Sequence, residues 1–285
     1  MAKFTIPDAL KANVPQTMWG RILAATPVVM TVVATALAGL ASSEMTRAQY
    51  ARSLAAQQQS KAGDQWNFFQ AKRLRSAMQR NTLDILQATA EVRPFSASDL
   101  DPVTVAALTK GELPALPPPP ALSPEVQASL AAVENADELP KAFYGMKDEE
   151  LAEAVRAAQN RVKEFDAAVG PVNKVVDQLD KSLAGSARDF IAARLRYTAA
   201  RYDAEARLNQ AIANLYELQV RKSNLKAERH HRRSQRFFGG MLTTQAAVII
   251  STFSLAAQKR SLLWSLAAAA GVAAIAFAIY VYLFV

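Results

Sequence analysis

Few side chains in this 285-residue chain are of a type that does chemistry, and their spacing argues against each use. The two histidines, His230 and His231, are adjacent, which sets them about 100° apart on a helix and denies them the one-face spacing of a metal pair. Arg229, Arg232 and Arg233 surround them. A cationic neighbourhood opposes a divalent ion, so the pair reads as a lipid-facing interface feature. Glu149 and Glu150 are acids placed where a helix N-terminus favours them. Gly239-Gly240 opens an apolar segment and makes no phosphate cradle. With no cysteine, disulfides, thiolate metal sites and cysteine nucleophiles are excluded. These residues point to a non-enzymatic protein with no cofactor, no metal site and no small-molecule substrate.

The elements that carry those residues are of very unlike composition. Of the 25 acids, all but Asp8 lie between Glu44 and Glu228, while the two ends are apolar and rich in alanine. Ile22 to Ala41 is uncharged for twenty residues, about 30 Å of helix and enough for a hydrocarbon core. Phe237 to Ala257 and Leu262 to Val285 are two more uncharged runs, joined by Gln258-Lys259-Arg260-Ser261 as a tight turn. The expectation is an all-α integral membrane protein with three transmembrane helices, at 22–41, 237–257 and 262–285, after a tail at 1–21. Trp264 at one end of the last run, with Tyr280, Tyr282 and Phe284 at the other, suits the two interfaces. Ala34 and Ala38, and Ala270, Ala274 and Ala278, repeat at four-residue spacing, which permits close helix contact in lipid. Thr243, Thr244, Gln245, Ser251, Thr252 and Ser254 make the second run the most polar, so it should face other helices.

The formal charge of +8 would raise nucleic acid as a partner, but the basic residues crowd beside the apolar runs. Arg221, Lys222, Lys226, Arg229, Arg232, Arg233 and Arg236 stand against one acid, Glu228. That placement favours anionic lipid headgroups and, by the positive-inside rule, a cytoplasmic arm with a periplasmic N-terminus.

Between the membrane runs lies a long helical arm. Residues 42–92 hold a helix without proline until 94, with a seam traced through Leu74, Met78, Ile85 and Ala88. Residues 93–124 form a proline-rich linker in which helix cannot continue, Pro117 to Pro120 favouring polyproline II as a spacer or a docking strip. Within 125–236, Leu151, Val155, Ala158, Val162, Phe165 and Val169 make one seam that Gly170-Pro171 interrupts, resuming at Val172, Val176, Leu179 and Leu183. Ala204, Leu208, Ala211, Leu215, Leu218, Lys222 and Leu225 make another, broken in character only by Lys222. The helices at 42–92 and 186–236 should pair antiparallel as a coiled coil, with a small bundle distally.

One stretch is more specific than any of these patterns. Asp64-Gln65-Trp66-Asn67-Phe68-Phe69-Gln70-Ala71-Lys72 resembles the D-Q-W-x-[FY]-[FY]-Q-A-K signature of a bacterial membrane family known as domain of unknown function 4337. The resemblance implies a membrane helix, a helical middle and a C-terminal membrane hairpin over nearly the whole chain, in a bacterial inner membrane, and no activity. Asp64, Gln65, Trp66, Phe68, Phe69, Gln70 and Lys72 are the candidate packing site. The aromatics cover more than one helix face, so some should pack within the arm and some against a third helix or a second subunit. The expected function is a scaffold or accessory subunit that self-associates or docks to a larger complex. An oligomeric channel or transporter component is the alternative.

Overall fold

The computed structural model describes residues 18–96, 100–116, 122–135, 137–182, 187–256 and 260–284. Among them there is helix and no strand. The helices in chain order are α1 (Met18–Thr89), α2 (Pro102–Lys110), α3 (Pro124–Glu134), α4 (Lys141–Gly145), α5 (Asp148–Ser182), α6 (Arg188–Ala256) and α7 (Arg260–Phe284). The first-tail residues, the tetraproline at 117–120 and the turn residues Gln258 and Lys259 lie outside the described residues, as do the side chains of Trp264, Tyr282 and Phe284. Two compact units result: Leu54–Lys222, and the residues up to Ser53 together with those from Ser223 onward. Both α1 and α6 continue from one unit into the other without a break.

In the Leu54–Lys222 unit, α6 is the central element. Its partners along α1 descend as α6 ascends: Leu83 packs with Ala192 and Leu195, Ser76 Oγ donates to the Ala199 carbonyl at 2.9 Å, and Trp66 reaches Glu217. The two helices therefore run antiparallel. On its other sides α6 meets α3, α4 and α5 in a core of Val126, Phe143, Leu151, Val155, Leu215 and Leu218. That double coverage explains why α6 buries Ile212, Ala213, Tyr216 and Val220 beyond the expected single seam, while Ala211 and Leu225 of that seam are exposed.

The helix boundaries depart from the sequence expectation in two places, each for a local reason. The proline-rich linker contains α2. Pro102 occupies its first turn, where a missing N–H costs nothing, and Asp101 caps it by accepting from Val103 N and Thr104 N, each at 3.0 Å. Gly111 ends it at φ +73°, a conformation that costs an L side chain about 1–2 kcal/mol. Leu108 and Ala107 then bury against Val172, Val176, Phe190 and Tyr197 of α5 and α6. The second departure is α5, which runs straight through Pro171. Val169 and Val172 are buried on either side of it, so packing offsets the single backbone bond that proline forfeits.

The expected seam on α1 is on the other face. Leu74, Met78 and Ile85 are 64%, 58% and 56% exposed and Ala88 is exposed too, whereas Ser76 and Leu83 are buried and Lys72, Gln79 and Leu86 half-buried. Apolar periodicity located a real face of this helix and assigned it the wrong side.

In the second unit, Leu37 and Ala41 of α1, Phe237 of α6, and Ala274 and Val281 of α7 form the core. Ala34 is 6% and Ala274 3% exposed, so two of the small residues spaced for close contact are at one. Gly271 faces Met30 so closely that a Cβ there would overlap the thioether, and the Met side chain would have to move. Among the described residues one helical stretch, Ala24–Thr89, is long and apolar enough to cross a membrane, and Ser265–Val281 is a shorter apolar helix.

Candidate functional site

The signature residues spread around α1 over two and a half turns, so they cannot all do one thing. Trp66 turns toward α6 and its Nε1–H donates to Glu217 Oε1 at 2.7 Å, while its ring meets Phe69 edge-on with centroids 5.3 Å apart. Gln65 is half-buried, and its Oε1 is enclosed without a donor among the described residues. Lys72 pairs with Glu205 and lies 5.1 Å from the centre of the Tyr202 ring. Asp64, Phe68 and Gln70 are exposed, Phe68 by 54%. Some of the motif thus fastens α1 to α6 and some is presented outward, as its angular spread requires.

Lys72 begins a chain of polar contacts across three helices. Glu205 Oε1 also forms an ion pair with Arg201, 3.3 Å from its Nε. Arg201 Nη1 donates to Asn173 Oδ1 at 2.7 Å, and the Tyr197 hydroxyl donates to the same oxygen at 2.8 Å. Burial pushes the Tyr197 phenol above its ordinary value of 10.0, against the opposing pull of the Arg201 charge. These groups are mutually engaged, and no nucleophile stands beside a base among them. Their chemistry is that of a clamp, α1 to α6 to α5. Glu205, Glu217 and Asn173 were not found in the sequence, although acids on α6 at levels matching Lys72 and Arg80 of α1 are a signal: Arg80 lies 3.7 Å from Asp203.

The basic run divides. Arg221, Lys226, Arg229, Arg232 and Arg236 are exposed and Arg233 is half-buried, with Arg232 donating to Glu228 at 2.8 Å. That bond, chiefly, holds the Glu228 carboxyl below its usual range. Lys222 differs from the six. It is 8% exposed and its ammonium donates to the carbonyls of Phe143 (3.2 Å), Tyr144 (3.3 Å) and Met146 at the end of α4. A short helix leaves its last carbonyls without intrahelical donors, and a cation answers both them and the dipole. The polar break in the α6 seam is therefore a cap for α4, and Lys222 is withdrawn from lipid contact.

The histidines part in the same way. His230 Nδ1 is 2.6 Å from Glu44 Oε2, the imidazole N–H donating, while Arg47 Nη1 donates to Oε1 at 3.1 Å. Glu44 is 7% exposed, and one turn on, Ser234 Oγ donates to the Ala41 carbonyl at 2.7 Å. His230 thus ties α6 to α1 instead of facing lipid, whereas His231 contacts Gln235 on its own helix. Among the described residues no third acid or histidine joins the Glu44–His230 pair.

Two hollows remain. One, of about 280 Å³, is walled by Leu122, Leu130, Ala154, Ala158, Leu208 and Leu215. Its polar members are already committed, Glu134 to Asn214 and Arg161 to Glu164, and its size falls below the roughly 300–1,000 Å³ usual for ligand pockets. The other is a groove of about 470 Å³ lined by Thr31, Ala34, Thr35, Ala38, Gln245, Val248 and Ile249. Its threonines spend their hydroxyls on their own helix, Thr31 on Pro27 O and Thr35 on Thr31 O.

Residues 19–110 match the family described as Domain of unknown function (DUF4337). The match runs from the start of α1 to the last residue of α2 and includes the whole signature, so the similarity covers about a third of the chain. It stops well short of the near full-length likeness expected from the order of elements. No curated protein and no solved structure matches the chain.

Proposed function

We propose that the chain, built on that family's domain, is a membrane-anchored, non-enzymatic scaffold or accessory subunit whose helical arm associates with itself or with a larger membrane complex. The observation that carries the proposal is the large apolar side chains exposed on the second unit. Thr26, Ser234, Thr244, Ser251 and Glu44 are buried there, while Val28, Val29, Val32, Ile249, Phe253, Val272 and Ile279 are at least half exposed. Water-soluble surfaces do not usually leave so much branched and aromatic side chain outward in one unit. Lipid rewards that arrangement.

In this reading 22–41, 237–257 and 262–285 are three transmembrane helices, and α1 and α6 carry two of them directly into an antiparallel coiled-coil arm. The flanking Arg221, Lys226, Arg229, Arg232, Arg233 and Arg236 favour a cytoplasmic arm by the positive-inside rule, and their charge suits anionic headgroups. A reporter active only in the periplasm, inserted at the proline-rich tip, should stay silent; activity there would reverse the orientation. Co-purification of an affinity-tagged copy extracted together with its native lipid should yield a multimer or a companion protein, and a lone monomer there would refute the role.

A channel or transporter component is the second reading, favoured by the groove beside Gln245. It ranks lower because that groove offers one amide and no ionisable group, where ion and proton paths usually carry several. Ion flux in liposomes that disappears in Gln245→Leu would promote it.

A further inference from the structure

We propose that the outward face of α1, centred on Leu74, Met78 and Ile85, is the seam along which two copies of this chain pair in parallel. The inference rests on the membrane-anchored reading for its orientation, since copies rooted in one bilayer present α1 in the same direction. Its other supports are local. Leu74, Met78 and Ile85, with Asn81 and Ala88 between and after them, alternate steps of four and three, the period that keeps one face against a partner helix. All five are exposed. The opposite face, Lys72, Ser76, Gln79, Leu83 and Leu86, is turned inward, with Ser76 and Leu83 meeting α6. The helix therefore has two seams, one used within the chain and one open.

Lipid does not cover the open seam. Arg73, Arg75, Arg80 and Asp84 surround it, and charges of that density do not enter hydrocarbon. A second copy fits it by charge. In a parallel pair in common register the flanking positions meet as Gln70 with Arg75, Ala77 with Thr82 and Asp84 with Thr89, so no like charges face each other, and the Arg75 guanidinium lies 5.9 Å from the Tyr202 ring of its own chain. Area sets the regime. From Asn67 to Ala88 the strip is about 33 Å long and roughly 10 Å wide, about 330 Å² per copy, against about 800 Å² per partner in a complex stable in solution. Pairing is therefore a property of copies concentrated in one membrane, and it is lost on dilution in detergent.

The natural absence of cysteine makes the test direct. Single-cysteine variants of the full chain, Leu74→Cys, Met78→Cys, Ile85→Cys and the control Gln87→Cys, are reconstituted in liposomes and treated with a short bis-maleimide. The expected result is covalent dimer at 74, 78 and 85, at least tenfold above 87. Linking both 74 and 85 to themselves requires the parallel register, because an antiparallel pair brings only one level into self-contact. No dimer above the control, dimer at only one of the three, or equal linking at all four would overturn the seam. These exposed positions tolerate substitution, and unchanged circular dichroism verifies it. If none links while the protein extracted with its native lipid still runs as an assembly, the seam is refuted and the scaffold reading stands. If it also runs as a lone monomer, both fall.

Discussion

Lys222 sits in a heptad where leucine is expected, and its surroundings explain why. Three carbonyls at the end of α4 converge on its ammonium, so Lys222→Leu should cost about 1–3 kcal/mol by leaving buried acceptors unmet, while Arg221→Ala next to it should change stability by less than about 0.5 kcal/mol. Chemical denaturation of the two variants checks the contrast. Liposome binding should respond the other way, with Arg221→Ala weakening adhesion to anionic vesicles. Tyr197 supplies a pH signature. Its folded pKa is raised by burial, so its contribution to stability is fully present below the unfolded value of 10.0 and is lost as pH rises through the folded value. Tyr197→Phe should lower stability at pH 8 by about 1 kcal/mol, through loss of the bond to Asn173, and should flatten the decline above pH 10. Thermal melts at a series of pH values measure both. Glu205→Gln should cost about 2 kcal/mol, since Lys72 and Arg201 would then face each other without an anion.

At the scale of elements, the arm's long helices were legible because 42–92 carries no proline and one glycine, Gly63, and 188–236 carries neither, and the α5 seam was legible because its apolar residues keep one period on both sides of Pro171. Two things were hidden. Helix α2 lies in a stretch whose prolines suggested linker, and its signals were the cap and stop, Asp101-Pro102 and Gly111, which a count of prolines overlooks. Gly111→Ala should therefore destabilise by about 1–2 kcal/mol through its positive φ alone, with the new methyl also pressing on Arg196 Cγ at 3.3 Å; Asp101→Ala should cost about 1 kcal/mol. The inward face of α1 was hidden because it is built from Lys72, Ser76 and Gln79 as much as from Leu83. It bonds to α6 through polar atoms and close small-residue contact, which hydrophobic periodicity does not register, and the apolar stripe that periodicity does register lies outside. The signature motif was legible as a unit, and only its partners Glu217 and Glu205 required the antiparallel register to be known.

For the whole molecule, the apolar ends are visible in composition, and the burial pattern adds that Glu44, Thr26, Ser234, Thr244 and Ser251 turn inward there while Val28, Val32, Ile249, Val272 and Ile279 turn out. Anchoring and association are one claim, because α1 carries both the apolar run and the signature-bearing arm in a single 72-residue helix. Partner identity has no counterpart in residue pattern, since a docking face specifies shape and charge and leaves the name open. The measurement that tests the claim most directly is the mass of the full chain extracted from its membrane in polymer-bounded lipid discs. The account predicts that the chain stays with lipid through high salt and carbonate washing and has the mass of two or more copies, or of one copy with a companion protein. A chain released by carbonate, or one that remains a solitary monomer in its native lipid, would contradict it.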